Sequence, residues 1–216
     1  MLNPQVPVAK EGYPFIALGA FLTLFFATIS WLIPAWICLL VTLFILSFFR
    51  DPERFTPVEP DGVISPADGK VIIAEKVSEN TFTGGEAYKV SIFMNVFNVH
   101  VNRNPASGTI EKVMYKPGKF YSADSEKGAL ENEYCGCVMQ TDSGHRLAYV
   151  QIAGLIARRI ICWLEPGDRV TTGRRFGLIR FGSRVDLYLP LDTELTIQVG
   201  EKVRAGETIL AKLPTS

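Results

Sequence analysis

Residues 14–49 read PFIALGAFLTLFFATISWLIPAWICLLVTLFILSFF, a run of 36 residues of which 28 are hydrophobic and none is charged. One continuous helix of this length would be far longer than the hydrocarbon core of a bilayer, which is about 30 Å thick. Pro34 interrupts the run, because proline lacks a backbone N–H and disfavours helix at the residue before it. The stretch therefore predicts a hairpin of two helices, at about residues 15–32 and 35–49.

The sequence leaves two arrangements of this hairpin in a membrane open. Each half would be about 25 Å long, so the hairpin either spans the bilayer or enters one leaflet. Both arrangements return the two ends to the same side. Lys10 precedes the hairpin, Arg50 and Arg54 follow it, and the stretch between the halves is uncharged. Because cytoplasmic segments carry the excess of Lys and Arg, we expect the remainder of the chain on the cytoplasmic side of the cell (inner) membrane.

The rest of the chain has the composition of a globular domain. The whole chain carries 22 basic and 22 acidic residues, and only Lys10, Glu11 and Arg50 fall within the first 50 positions. This distribution predicts a membrane-associated segment at residues 1–50 and one folded domain at residues 51–216, with an ordinary share of charged residues. Intrinsic disorder is excluded, and the balanced charge argues against a nucleic-acid partner.

The folded domain has the pattern of a β-rich protein, because short β-branched runs alternate with turn residues from residue 62 onward. The run LIARRIICWL at 155–164 fits a helix or a strand equally well. Two turns of the form G-x-x-V-x-x-G, at 167–173 and 200–206, resemble those of barrel-sandwich folds. We therefore predict a β-rich α+β fold, in which a barrel-sandwich-like domain follows the helical hairpin. The predicted strands are 69–77, 88–94, 108–115, 135–141, 146–154, 184–190 and 195–199.

The cysteines do not suggest a disulfide scaffold, which agrees with a reducing compartment. Cys135-Gly-Cys137 followed by His145 is a candidate zinc motif. Structural zinc normally needs four ligands, and C-x-C is tighter than the usual spacing. The interpretation we favour is a strand with two inward-facing thiols and no metal.

Three polar residues are candidates for chemistry, although each also has an ordinary structural explanation. Asp68 precedes a glycine in SPADG, a combination that suits a turn. His100 lies among hydrophobic residues and can serve as an acid or base near neutral pH. Ser183 follows a glycine, which often marks a bend or bulge. The residue two before it is Phe181 rather than glycine, so the elbow of α/β-hydrolases is missing and a Ser-His-Asp hydrolase is disfavoured.

Four motifs in a fixed order resemble those of one family, the phosphatidylserine decarboxylase proenzymes in their short bacterial form. The resemblance runs from about residue 12 to the end of the chain, and the motifs are specific in combination rather than singly. They are FFRDPER at 48–54, SPADG at 65–69, FNVHVNR at 97–103 and FGSRVDLYLP at 181–190.

The resemblance implies that the chain is an inactive precursor that cuts itself. The cleaved bond would be Gly182–Ser183, giving a large chain of residues 1–182 and a small chain of residues 183–216 that stay together as a heterodimer. The family's Asp-His-Ser triad for this reaction maps onto Asp68, His100 and Ser183. Whether this pair of chains assembles further stays open.

The resemblance also implies the cofactor and the reaction. Ser183 would become an N-terminal pyruvoyl group, which takes the role of pyridoxal phosphate without a bound cofactor or a metal. Its carbonyl would form a Schiff base with phosphatidylserine, a phospholipid held in the membrane, and release carbon dioxide to give phosphatidylethanolamine. His100 is the candidate acid that then protonates the substrate.

Two departures from the family pattern and two alternative functions remain. The best-known long members read Leu-Gly-Ser-Thr at the cut, so Arg184 is a candidate for altering the pocket or the head group. Phe97 stands where some members have a second histidine. The alternatives are a decarboxylase of a related serine-headed lipid and a membrane-anchored barrel-sandwich carrier or adaptor. Candidate cations for the lipid phosphate are Lys119, Arg158, Arg159 and Arg184, although solvated surface is the ordinary role of each.

Overall fold

The computed structural model describes residues 6–79, 81–118, 131–154, 159–180 and 182–214. The chain forms two compact units, Met1–Glu53 and Arg54–Ser216. The first contains the helices and the second contains the strands.

The first unit is a hairpin of two helices, α1 (Tyr13–Thr28) and α2 (Leu32–Phe48), after a short 3-10 turn. The predicted pair of helices is confirmed, but the predicted break at Pro34 is wrong. The chain turns earlier, at Ser30, which has a φ of 63°. Pro34 instead lies in the first turn of α2, where the backbone N–H groups have no partner within the helix and a missing donor costs little.

The two ends of the hairpin lie side by side. Val8 forms a β-bridge with Arg50, and the Ala9 N–H donates to the Phe49 carbonyl at 2.8 Å. Within the hairpin, a Cβ at Gly19 would lie 2.4 Å from the Thr42 hydroxyl oxygen, so the absence of a side chain at residue 19 lets the helices approach closely.

The outer surface of the hairpin is apolar. Large hydrophobic side chains such as Phe21, Leu24, Ile33 and Trp36 are each more than 60% exposed. The span Lys10–Thr28 is long and apolar enough to cross a membrane, and α2 is a shorter apolar helix. Such a surface suits lipid better than water, which supports association with a membrane.

The second unit is built from strands, as the sequence predicted. The described residues form β1 (Gly62–Ile64), β2 (Gly69–Glu79), β3 (Gly85–Met94), β4 (Val101–Arg103), β5 (Gly108–Lys116), β6 (Tyr134–Thr141), β7 (Arg146–Ala153), β8 (Ile160–Cys162), β9 (Arg169–Val170), β10 (Arg175–Ile179), β11 (Ser183–Leu189), β12 (Glu194–Leu195), β13 (Lys202–Val203) and β14 (Ile209–Lys212).

These strands form a large sheet and two small ones in the described part of the chain. The large sheet has the order β13-β2-β3-β11-β7-β6-β5-β9, with antiparallel pairing throughout. The small sheets have the orders β1-β14-β12 and β4-β10-β8. Both faces of β11 are buried: Val185 and Leu187 belong to the main core, and Tyr188 belongs to a smaller core on the other face. The predicted β-rich α+β class is therefore confirmed.

The two G-x-x-V-x-x-G turns have the same structure. All four glycines have a positive φ, which glycine adopts at little cost: 95° and 76° at Gly167 and Gly173, and 102° and 76° at Gly200 and Gly206. The valine of each turn forms a short strand that pairs with the first residue of a long strand, Val170 with Gly108 and Val203 with Gly69. The repeat is therefore architectural, as predicted.

One predicted strand is partly wrong, and one ambiguous run lies only partly within the described residues. The predicted strand at 195–199 is wrong beyond Leu195. The Thr196 N–H still donates to Leu210, but the chain then turns toward Gly200 and leaves the sheet. In the ambiguous run at 155–164, Ile160–Cys162 is a strand, and residues 155–158 lie outside the described residues.

Candidate functional site

Ser183 is the first residue of the central strand of the large sheet. It pairs with Met94 on β3 and with Ala153 on β7, and it is fully buried. Its Oγ lies 4.0 Å from the Met94 sulfur, on the face of the main core. Gly182 before it has a φ of 58°, a conformation that side chains disfavour. The backbone therefore turns sharply just before the strand, next to the Gly182–Ser183 bond that the family resemblance implies is cleaved.

Asp68 lies in the buried turn between β1 and β2. One carboxylate oxygen accepts the Ala205 N–H at 2.7 Å, and the other accepts the Arg54 guanidinium at 3.0 Å. Arg54 also pairs with Glu207 at 3.0 Å, and its side chain is only 10% exposed. These contacts hold the Asp68 carboxylate in one orientation and provide a buried positive charge next to it.

The turn that contains Asp68 has a second copy in the chain. SPADG at 65–69 and NPASG at 104–108 share the pattern Pro-Ala-x-Gly, and each leads into a long strand. The proline carbonyl of each turn accepts the N–H of the residue just before the other turn, at 2.9 and 2.8 Å. The two turns therefore pack reciprocally, as two copies of one local structure.

Ser107 occupies in the second copy the position that Asp68 has in the first. The Thr172 N–H donates to the Ser107 Oγ at 3.0 Å, just as the Ala205 N–H donates to Asp68. Thr172 and Ala205 hold the same position in the two glycine turns described above. One oxygen of Asp68 thus accepts a backbone N–H that a hydroxyl accepts at the equivalent position, while the second oxygen and the negative charge are particular to Asp68.

His100 is buried immediately before β4, with 1% of its surface exposed. Its Nδ1 lies 2.9 Å from the Asn98 carbonyl oxygen, which can only accept a hydrogen bond. Nδ1 therefore has the proton in the neutral ring, and Nε2 is the ring nitrogen that can accept a proton. Phe97, where some family members have histidine, lies in the preceding turn and is 73% exposed.

Hydrogen bonds join the segment of His100 to the turn of Asp68 and to the strand that precedes Gly182. The Arg103 N–H donates to the Pro66 carbonyl at 2.9 Å, which links the histidine segment to the aspartate turn. The Ile179 N–H donates to the His100 carbonyl at 3.3 Å, which links the histidine segment to β10, the strand that leads toward Gly182. The first bond joins residues 37 positions apart in the sequence, and the second joins residues 79 positions apart.

Asn102 lies at the centre of this junction and was not among the residues predicted from the sequence. Its amide nitrogen lies 3.4 Å from the Pro66 carbonyl and 3.6 Å from the Met94 sulfur, the same sulfur that Ser183 contacts. Its amide oxygen accepts the Gln151 side chain at 2.9 Å, and both residues are fully buried. The sequence offered two signals, a polar residue within FNVHVNR and a glutamine within the apolar strand 146–154. Neither signal indicates which residue is the hydrogen-bond partner.

The four basic residues that are candidates for binding the lipid phosphate differ in their exposure. Lys119 and Arg158 lie outside the described residues. Arg159 is exposed. Arg184 is 1% exposed, so the expectation that it belongs to the solvated surface is wrong. Its guanidinium forms a two-bond pair with the Asp186 carboxylate and donates to the Ser91 hydroxyl at 3.0 Å, because alternate residues of β11 face the same buried side of the sheet.

Replacing Arg184 by methionine is expected to lower the free energy of unfolding by about 3 kcal/mol, because the buried Asp186 charge loses its main partner. Lys89, at 3.3 Å from Asp186, compensates only in part. The measurement is the midpoint of thermal unfolding of the full chain in detergent. The double variant Arg184→Met, Asp186→Leu should recover most of the loss, and a single variant as stable as the parent would contradict the argument.

A groove of about 440 Å³ lies on the Tyr188 face of the sheet, next to Glu79, Lys89 and Lys116. Burial raises the pKa of the Tyr188 hydroxyl, and the nearby carboxylates raise it further, so it stays protonated. Burial also acts to raise the pKa of Glu79, but three backbone N–H donors outweigh it and lower the pKa. Ser183 faces the main core, so this groove is not its reaction pocket.

Comparison with known proteins gives a consistent result over the whole chain. Residues 41–211 match the protein family described as phosphatidylserine decarboxylase. The chain is 63% identical over 213 residues to a phosphatidylserine decarboxylase proenzyme of Desulfotalea psychrophila, covering 99% of this chain and 100% of the relative. It is 52% identical over 219 residues to a protein of the same name from Geobacter sulfurreducens, again covering 99% and 100%. A Cupriavidus pinatubonensis protein of that name is 48% identical over 218 residues, covering 99% and 98%.

Proposed function

The chain belongs to the phosphatidylserine decarboxylase family, and from this premise we propose that it cuts itself between Gly182 and Ser183 and then converts phosphatidylserine to phosphatidylethanolamine and carbon dioxide. The observation that carries the proposal is the position of Ser183, which is fully buried at the start of the central strand and follows a glycine with a positive φ. Hydrogen bonds that join the His100 segment to the turn of Asp68 and to β10, the strand that leads toward Gly182, give further support.

The first step is the attack of the Ser183 hydroxyl on the carbonyl carbon of Gly182. The amide C–N bond breaks, an ester forms and the amine of Ser183 is released. A hydroxyl is a weak nucleophile near neutral pH, so a base must take its proton. We assign this role to Nε2 of His100, because Nδ1 donates to Asn98. Asp68 would favour the protonated imidazole through its negative charge.

The second step removes the α-proton of residue 183 and expels the Gly182 carboxylate from its β-carbon. The dehydroalanine that remains rearranges and reacts with water, releasing ammonia and leaving a pyruvoyl group. The products are a large chain of residues 1–182 and a small chain of residues 183–216, held together as a heterodimer. A carboxylate leaves the β-carbon far more easily than a hydroxide does, which explains why the hydroxyl must attack first.

The surroundings of residue 183 fit a pyruvoyl group. Among the described atoms, a Cβ built at Gly182 would meet nothing within 4 Å, so there is room beside the cut. When formed, the group supplies an electron sink for the electron pair left by carbon dioxide. His100 is buried, so its proton is shielded from water; we propose that it protonates the α-carbon of the substrate.

We propose that the hairpin anchors the enzyme on the cytoplasmic face of the inner membrane. The support is the apolar outer surface of the helices and the basic residues Lys10, Arg50 and Arg54 that flank them. A lipid substrate is confined to the bilayer, so an anchored enzyme works at a higher effective substrate concentration than a free one.

The test is the intact mass of the purified protein together with carbon dioxide release from phosphatidylserine vesicles. We expect two chains, the smaller of which is lighter than the unmodified peptide 183–216 by one ammonia. Vesicles of related serine-headed lipids serve as the comparison for head-group preference. A single uncut chain would support the carrier or adaptor alternative, and a small chain beginning with an intact serine would refute the pyruvoyl mechanism.

A further inference from the structure

Three cysteines meet inside the folded unit, although they are far apart in the sequence. The Sγ atoms of Cys135, Cys137 and Cys162 all lie within 4.8 Å of one another, and those of Cys137 and Cys162 are 3.8 Å apart. All three are free thiols. The predicted pair of inward-facing thiols on a strand is confirmed by β6. The third member of the cluster is Cys162 and not His145, whose ring lies 2.9 Å from the Pro214 carbonyl.

The spacing of the sulfur atoms suits a metal ion. A tetrahedral ion with metal–sulfur bonds of about 2.3 Å holds its sulfur ligands about 3.8 Å apart. Cys137 and Cys162 already have this separation, and the other sulfur distances exceed it by at most about 1 Å. Three protein ligands are the usual number in zinc sites that keep a fourth position for water. Binding would therefore need only a small adjustment of side chains.

The elements around the cluster provide both rigidity and access. Cys135 and Cys137 are two residues apart on β6, so they face the same side, and both are buried. Cys162 is only partly buried, and it lies on β8, the outer strand of the sheet β4-β10-β8. An ion can thus reach the buried pair from the side of Cys162. Thiolates select soft cations over Mg²⁺ or Ca²⁺.

We propose that Cys135, Cys137 and Cys162 form a binding site for a thiophilic cation with a filled d shell, Zn²⁺ or Cu(I). On binding, each S–H bond is replaced by a sulfur–metal bond and the proton passes to solvent, with no oxidation or reduction. Full coordination by the three thiols releases three protons.

Metal binding would also tie together parts of the sheet system around the proposed cut. Cys137 belongs to the large sheet and Cys162 to a small one. Within the small sheet, β8 pairs with β10 in the register Ile160 to Ile179, three residues before Gly182. A bound ion would therefore stabilise the strand that leads toward the proposed cut, and the folded protein would become more stable as the metal concentration rises.

The test is a metal titration of the full-length, untagged chain in detergent, after reduction and removal of metals. We expect one Zn²⁺ or one Cu(I) per chain, with Co²⁺ as a probe whose thiolate charge-transfer absorption reports sulfur ligation. Cys162→Ser should lower the affinity by about tenfold or more, and Cys38→Ser, in the hairpin, should leave it unchanged. Competition between Zn²⁺ and Cu(I) identifies the preferred ion.

A second measurement does not depend on any variant. In the unsubstituted chain, bound metal should slow the alkylation of Cys162 while Cys38 reacts at the same rate with and without metal. Equal affinity in the parent and in Cys162→Ser, or alkylation of Cys162 that metal does not change, would overturn the proposal. Cleavage of the chain is scored in the same samples, so a failure of the metal site is distinguishable from a failure of the proposed function.

Discussion

The Ser183→Ala variant is expected to accumulate as one uncut chain of 24.0 kDa, with no detectable decarboxylase activity. Alanine has no hydroxyl to attack Gly182, and it cannot be converted to a pyruvoyl group by elimination, so cutting and activity are lost together. The side chain is small and fully buried, and the strand register does not depend on it. The measurement is a denaturing gel and an intact mass of the purified variant.

Ser91→Ala is the matched control for this variant. Ser91 is also a fully buried serine, on the neighbouring strand β3, but it faces Arg184 on the other side of the sheet. We expect it to cut normally, with a small loss of stability from one hydrogen bond. If Ser183→Ala yields two chains, the proposed nucleophile is wrong. If Ser91→Ala also remains uncut, general damage to the sheet would explain both results.

Asp68→Ser is expected to fold and yet to slow self-cleavage by about 1,000- to 10,000-fold. The duplicated turn is the reason for choosing serine: Ser107 accepts a backbone N–H through its hydroxyl at the equivalent position, so a serine at residue 68 should keep the bond to Ala205. The variant then removes only the negative charge and the oxygen that contacts Arg54. The measurement is the rate at which freshly synthesised precursor is converted to two chains.

Two controls separate the charge of Asp68 from its structural task. Ser107→Ala removes the same backbone bond in the other copy of the turn, so it should lower the midpoint of thermal unfolding without slowing cleavage. Asp68→Ala should show both effects. Cleavage of Asp68→Ser at the parental rate would mean that Asp68 is a turn residue only, which would remove it from the proposed triad.

The sequence was sufficient for the parts of the fold that depend on local patterns. An uncharged apolar run predicts a helical hairpin. Short β-branched segments predict strands such as 108–115 and 135–141, because burial of one face of a strand favours alternation of apolar and polar residues. The predictions failed where the surrounding structure, rather than the local pattern, determines the backbone conformation. Ser30, and not Pro34, turns the hairpin, since a proline is compatible with the first turn of a helix. Residues 196–199 are apolar enough for a strand but lead into a glycine turn.

The candidate site was predictable as residue types but not as contacts. Asp68, His100 and Ser183 could be named from motifs, whereas the partners of Asp68 come from positions 54 and 205, at the two ends of the folded unit. Nothing in a linear pattern indicates which distant N–H a carboxylate will accept. Arg184 shows the same limit, because whether an arginine is solvated or paired inside a sheet depends on what covers that face. The repeated Pro-Ala-x-Gly turn was visible in the sequence, but its meaning required the hydrogen bonds.

The position of β11 has a consequence for the lifetime of the mature enzyme. In the proposed product, the strand that begins at residue 183 is still paired on both sides with strands of the large chain, so the cut breaks one covalent link and leaves the strand pairing in place. The two pieces then behave like a split protein that has already reassembled, and they separate only when the whole sheet unfolds. Because the proposed pyruvoyl group would be part of the central strand, it could not be exchanged for a fresh copy. Each molecule would form its cofactor only once, and chemical damage to that single carbonyl would inactivate the molecule irreversibly.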